Sequence, residues 1–135
     1  MTVNDVISAD EGFFEALNRM FTGDVAPMLS LWSHSEDAVY MGPNHKVLVG
    51  WSNIRPSWEF QGGLKMGGEI KVTERHVTQS PQLAVVHHVA EATHLANAGE
   101  GALSLRGTNV FRLEEGAWKL IAHHSDPIPF LDGTN

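Results

Sequence analysis

The sequence predicts an α+β fold, and three observations carry that prediction. Apolar residues recur at helical spacing near the start, four long β-rich runs fill the second half, and short turns join those runs. Consecutive strands joined by short turns form an antiparallel meander, because parallel strands need long crossovers. Helices first and strands afterwards place the helices on one face of the sheet.

The first helix is expected after Ser8 or Asp10, either of which can cap it, with Asp10 and Glu11 suiting its positive end. Phe13, Phe14, Leu17, Met20 and Phe21 supply one apolar stripe, and Gly23 ends it. Asp24 is then expected to cap a shorter helix through Met28, Leu29 and Trp32, with Pro27 in its first turn. Ala38 to Gly42 and Lys46 to Gly50 flank Gly-Pro-Asn-His and read as a loose hairpin. Trp51 to Met66 reads as a third helix, with Ser52 as its cap, Ile54 and Trp58 inward, and Pro56 near its first turn.

The meander is expected over Glu69 to Thr78, Leu83 to Asn97, Leu103 to Leu113 and Ala117 to Ser125. Its turns are Ser80-Pro81-Gln82, Ala98-Gly99-Glu100-Gly101 and Glu114-Glu115-Gly116. No repeat or linker divides the chain, so residues 1–135 are read as one domain.

Composition narrows the function. The chain is 42% hydrophobic and 19% charged, too apolar for a disordered protein. Its net charge is −7, from 16 acidic and 9 basic residues, with no basic cluster, which argues against nucleic-acid and anionic-membrane partners. There is no cysteine, so disulfides, thiolate nucleophiles and Cys-ligated metals are excluded. Residues Met1 to Asp10 lack a basic and apolar leader pattern, and no run approaches the roughly 20 apolar residues of a membrane span. A cytoplasmic protein is the expectation.

Several local patterns then acquire a family likeness. They are Asp37-Ala38-Val39-Tyr40-Met41-Gly42-Pro43, Gly50-Trp51-Ser52-Asn53-Ile54, and Gly107-Thr108-Asn109-Val110-Phe111-Arg112 followed by Gly116-Ala117-Trp118-Lys119-Leu120-Ile121-Ala122-His123-His124-Ser125. In that order, over about Asp10 to Pro127, the chain resembles the nuclear transport factor 2-like superfamily, which includes ketosteroid isomerase and the SnoaL-like polyketide cyclases. The resemblance implies a cone-shaped curved antiparallel sheet packed against three N-terminal helices, the cystatin-like roll. It also implies an apolar cavity for a small apolar or polyketide-like molecule, a homodimer, and no cofactor. Ketosteroid isomerases carry a catalytic Asp where this chain has Gly42, and their protonated oxyanion-hole Asp aligns with Asn109. An amide can donate to an oxyanion but cannot be the tuned acid, so ketosteroid isomerisation is disfavoured.

Eight histidines supply the acid–base groups: His34, His45, His76, His87, His88, His94, His123 and His124. Neighbours along a strand face opposite ways, so only one of His87 and His88, and one of His123 and His124, can share a cavity. On the last strand Trp118, Leu120, Ala122, His124 and Asp126 alternate as the apolar face, which assigns His124 and Asp126 inward. From Leu83 the odd set, with His87 and Glu91, is taken as pocket lining, and the alanine-rich even set as close packing. Tyr40, Trp58 and Trp118 are expected to contribute to the same pocket. Each of these also has a structural reading: core packing for the tryptophans, a satisfied strand residue for each histidine, and a ladder-flanking hydrogen bond for Asn109.

No metal is expected. His87, Glu91, His124 and Asp126 form a nominal donor set, but strand residues four apart sit roughly 13 Å apart. The glycine pairs at 62–63 and 67–68 lack phosphate-loop spacing, and no Gly-x-Ser-x-Gly elbow occurs. The leading functional expectation is a SnoaL-like pocket protein of isomerase, cyclase, dehydratase or hydrolase type. In it His124, with Asp126, moves a proton beside a carbonyl while Asn109 or Tyr40 stabilises the oxyanion. The alternative is a non-catalytic ligand-binding or oligomerisation module of the same fold.

Overall fold

A computed structural model describes residues 2–42, 45–95 and 102–128. Its elements run α1 (Val3–Met20), α2 (Ala26–Leu31), β1 (Val39–Met41), β2 (Leu48–Val49), α3 (Trp51–Gly63), β3 (Glu69–Gln79), β4 (Leu83–Thr93), β5 (Ala102–Glu114) and β6 (Ala117–Ile128). They form the α+β roll read from the sequence. One curved six-stranded sheet has the order β2-β1-β6-β5-β4-β3, with β3 to β6 an antiparallel meander and β1 joined parallel to β6. Of the meander's turns, residues 96–101 lie outside the described residues, as do Pro43 and Asn44 of the first hairpin.

The first helix starts about two turns earlier than expected. Thr2 is its cap, and Thr2 and Asp5 exchange backbone and side-chain hydrogen bonds in a capping box. Asp10 is therefore no cap. It lies inside α1 on the buried stripe with Val6, Phe13, Phe14 and Met20. Asp24 likewise does not cap α2, whose cap is Val25; it accepts from Arg19 Nε at 3.0 Å instead. In α3 the cap is Gly50, with φ 87°, not Ser52. Pro56 falls in the second turn, where it deprives the exposed Ser52 carbonyl of an intrahelical donor.

The core lies between the helices and one face of the sheet. Val6, Phe13, Met20 and Met28 meet Ile54 and Trp58 from α3, and Ala84, Val86, Phe111 and Leu120 from the strands. At one end Arg112 forks to Asp37 and Glu114, and Ser33 donates to Glu114, which ties the approach to β1 onto β5. No helix of the described residues is long and apolar enough to cross a membrane.

Two β-bulges set which side chains reach the core. In β3, Val72 opposes Ala90 and Glu74 opposes Val89, leaving Thr73 as an extra residue. In β6, Leu120 opposes Phe111 and Ala122 opposes Val110, leaving Ile121 extra. Past each bulge the alternation reverses.

Candidate functional site

The sheet's inner face and the helices surround a cavity of about 540 Å³, within the size range of small-molecule sites. Phe14, Leu17, Met20 and Phe21 of α1 form one apolar wall, and Trp58, Met66 and Ile70 another. The polar groups among them are few: Tyr40, Gln61, His88, His123 and, toward one end, Ser125, Arg106 and Asp126.

The strand register explains why these polar groups meet. One cross-strand row runs Val86, Asn109, His123, Tyr40, and the next runs Arg75, His88, Gly107, Ser125. The bulges bring Arg75, His123 and Ser125 to the inner face and so complete both rows. The expected inward set on β6 held for Trp118 and Leu120, but the extra Ile121 then turns His123 inward and His124 outward. On β4 the even positions are the buried ones, so His88 faces the cavity while His87 and Glu91 are exposed. The assignment reverses the expected one because the alanines that suggest tight packing leave room for the cavity, while the valines of the odd set lie half-exposed outside.

His124 and Asp126 pair on the outer face, Nε2 to Oδ2 at 2.9 Å, with both side chains over two-fifths exposed. That face also carries Glu74, His76, His87 and Arg106 around a depression of about 370 Å³. Trp118 is buried but lies at the far end of β6, opposite Leu113, away from the cavity lining. Tyr40 and Trp58 do line the cavity, stacked with ring centroids 4.5 Å apart and planes 9° from parallel.

Asn109 is completely buried, and it lies behind His123 instead of presenting its amide to the cavity. Its Nδ2 donates to Asp10 Oδ1 at 2.8 Å, and its Oδ1 lies 2.6 Å from His123 Nδ1. Asp10 Oδ2 in turn accepts from Arg75 Nε at 2.8 Å. The chain Arg75–Asp10–Asn109–His123 thus crosses from β3 through α1 to β5 and β6. Sequence reasoning missed Asp10, Arg75, His88 and His123 as a group. The available signal was Asp10 itself, four residues after Val6 and three before Phe13 on the apolar face of α1.

Burial controls the protonation of the site. Loss of hydration pushes His123 down to about 3, and the neighbouring His88 and His124 add to that shift. Burial also lowers His88. Both rings are neutral near pH 7. Desolvation raises the Tyr40 phenol to about 12, so it keeps its proton. Gln61 Nε2 donates to Tyr40 Oη at 2.9 Å, which leaves the phenolic hydrogen free to point elsewhere.

Two glycines make room for these groups. A Cβ on Gly42 would lie 2.5 Å from Tyr40 Oη, so the phenol occupies the space that a side chain at position 42 would fill. A Cβ on Gly107 would lie 2.9 Å from His88 Nε2, which lets that ring lie across β5. Among the described residues no group of three or more His, Asp or Glu is placed to hold a metal ion.

A curved sheet and N-terminal helices around a mainly apolar cavity with a few oriented polar groups define a class of small α+β pocket proteins. The chain belongs to the SnoaL-like domain family, whose model matches residues 11–129. No curated protein matches it significantly. Among solved structures it is similar to a designated dehydratase of the nuclear transport factor 2-like family from Streptomyces avermitilis. That likeness has 24% identity and a TM-score of 0.76, covering 93% of this chain and 95% of the other. It is also similar to a designated calcium/calmodulin-dependent protein kinase II association domain from Xanthomonas campestris, with 21% identity, TM-score 0.74 and coverage of 97% and 91%. A designated ketosteroid isomerase from Parabacteroides distasonis shares 18% identity, TM-score 0.71 and coverage of 94% and 88%. At these identities the likeness is one of fold.

Proposed function

We propose that this protein is a proton-transfer enzyme of the isomerase or dehydratase type, acting on a small, neutral, largely apolar carbonyl compound. The observation that carries the reading is the buried His123. Asn109 occupies its Nδ1, its ring lines the apolar cavity, and it is neutral at physiological pH. A neutral imidazole with one nitrogen engaged behind it offers the other to a substrate proton. Tyr40 sits beside it, ring centroids 5.8 Å apart, and its phenol can donate to the carbonyl oxygen as negative charge develops there. His88 is the second imidazole of the cavity. It is suited to return a proton or to assist a leaving hydroxyl.

The test uses hydrogen exchange, which needs no knowledge of the product. A panel of small ketones and hydroxyketones is screened for binding by tryptophan fluorescence, since Trp58 lines the cavity. Bound compounds are then incubated with the protein in D₂O, and exchange of the hydrogen beside the carbonyl is followed by proton NMR. The wild type should catalyse exchange. His123→Gln should bind the same compound and lose exchange by about 100-fold or more. Exchange undiminished in His123→Gln, or binding without any exchange by the wild type, overturns the reading.

A second reading, a homo-oligomeric assembly module, is favoured by the outer sheet face. There Val85, Val89 and Val110 are half-exposed among polar residues, and a second copy of the chain would cover them. Light scattering reads the mass directly. A monomer at micromolar concentration that exchanges substrate hydrogen removes this reading.

A further inference from the structure

We infer that Asp10 is the positioning residue of the site: acting through Asn109, it holds the His123 imidazole with its proton on Nδ1 and the lone pair of Nε2 toward the cavity. This rests on the reading of His123 as the proton acceptor, but its central claim concerns where one hydrogen sits.

The hydrogen-bond inventory leaves one consistent arrangement. Asp10 has no exposed surface, and both its oxygens face N–H groups. Arg75 is a donor only, so Oδ2 accepts from it. The remaining oxygen accepts as well, which turns the Asn109 amide so that its NH₂ faces Asp10. The amide oxygen must then face His123, and an amide oxygen can only accept. His123 Nδ1, 2.6 Å away, is therefore the donor. A neutral imidazole carries a single N–H, so Nε2 is left as an acceptor. Were the amide reversed, its N–H would meet Nδ1, the proton would move to Nε2, and His123 would offer the cavity a donor in place of a base.

The surroundings hold this geometry in place. Phe13 packs on the imidazole with ring centroids 4.6 Å apart, and Asn109 and His123 are directly paired across the β5–β6 ladder. A carboxylate whose only task was to neutralise Arg75 would not need its second oxygen on Asn109. That second bond links α1 to a residue 99 positions further along the chain. If substrate protonates Nε2, the Nδ1–H bond to Asn109 keeps the other ring nitrogen satisfied and the imidazolium in place.

Long-range proton–nitrogen correlation NMR of ¹⁵N-histidine-labelled protein at pH 7 tests the inference. The wild type is expected to show His123 as the Nδ1–H tautomer. Asp10→Asn, nearly isosteric, frees the Asn109 amide to reverse and is expected to make the Nε2–H tautomer of His123 a major species. Its hydrogen-exchange rate should fall by about tenfold or more, with ligand affinity held within about twofold. Finding the Nε2–H tautomer in the wild type overturns the inference, as does an unchanged tautomer in folded Asp10→Asn. If Asp10→Asn does not fold, the wild-type spectrum decides alone. Undiminished exchange in His123→Gln, with the Nδ1–H tautomer observed in the wild type, would sink the functional reading and leave the positioning role standing.

Discussion

The two faces of the sheet carry nearly the same side chains and treat them in opposite ways. His87 and His88 are neighbours, as are His123 and His124, yet in each pair one ring is buried and the other is not. Inside, carboxylate, guanidinium, amide and imidazole form one connected chain with no solvent share at Asp10. Outside, carboxylate and imidazole pair at exposed positions, Glu74 with His76 and Asp126 with His124. The difference lies in the backbone. Were Thr73 paired in regular alternation instead of bulged, Glu74 and His76 would face α1 in place of Arg75, and Asp10 would meet a like charge. Were Ile121 paired in the same way, His124 would face the cavity. The two bulges therefore place an Arg beside a buried carboxylate and a His beside a buried amide.

Substitutions can break this contrast, and the largest effect is expected at Asp10. Asp10→Ala removes the partner of both Arg75 and Asn109, and should lower unfolding free energy by about 3 kcal/mol in urea titrations. The matching outer change, Asp126→Ala, should cost under about 0.5 kcal/mol. Equal effects would erase the distinction between the faces.

Acid should act next most strongly, through the inner histidines. His123 is held at about 3 when folded, below its ordinary value near 6.5, and His88 is lowered too. The unfolded chain therefore binds protons that the native state does not. Stability is complete above about pH 6.5 and declines as pH falls toward 3. Between pH 6.5 and 4.5, where most carboxylates stay ionised in both states, roughly 2 kcal/mol should be lost at His123. Urea midpoints at the two pH values measure this loss. His123→Gln should flatten the dependence.

A smaller effect is expected at Gly42. Its α-hydrogen faces the Tyr40 hydroxyl, so Gly42→Ala must displace the phenol or the strand, at a cost of about 1–2 kcal/mol by thermal unfolding. The displaced phenol should also weaken ligand binding measured by fluorescence. The smallest change is expected at His76→Gln, where an exposed ion pair is lost and the melting temperature should move by about a degree at most.

Periodicity reached the architecture because each element announces itself locally. The helical stripe of Phe13, Phe14, Leu17 and Met20, and the Glu115-Gly116 turn with both residues at positive φ, follow from side chains within a few positions of one another. Trp58 was placed on the inner side of its helix in the same way, by its spacing from Ile54. Facing is a cumulative property. A strand read by strict alternation stays correct only up to its first bulge, so Trp118 and Leu120 were assigned inward correctly and His124 was not. Nothing in Leu120-Ile121-Ala122 marks the extra residue, since all three are apolar. Asp10 was misread for a different reason. Near a helix start an acidic residue satisfies the dipole rule, and only the actual cap at Thr2 shows that it sits a full two turns inside.

The Ile121 bulge has one more consequence, for how the strand tolerates sliding. If the bulge were ironed out and the end of β6 moved by a single residue, Ala122 would take the place of His123 opposite Asn109, and His124 would fall opposite Gly107. The neighbouring histidine therefore does not stand in for the lost one. Most one-residue slips in a half-buried strand exchange an apolar side chain for a polar one. Here the slip would keep a histidine on the inner face and still strip the buried amide of its imidazole.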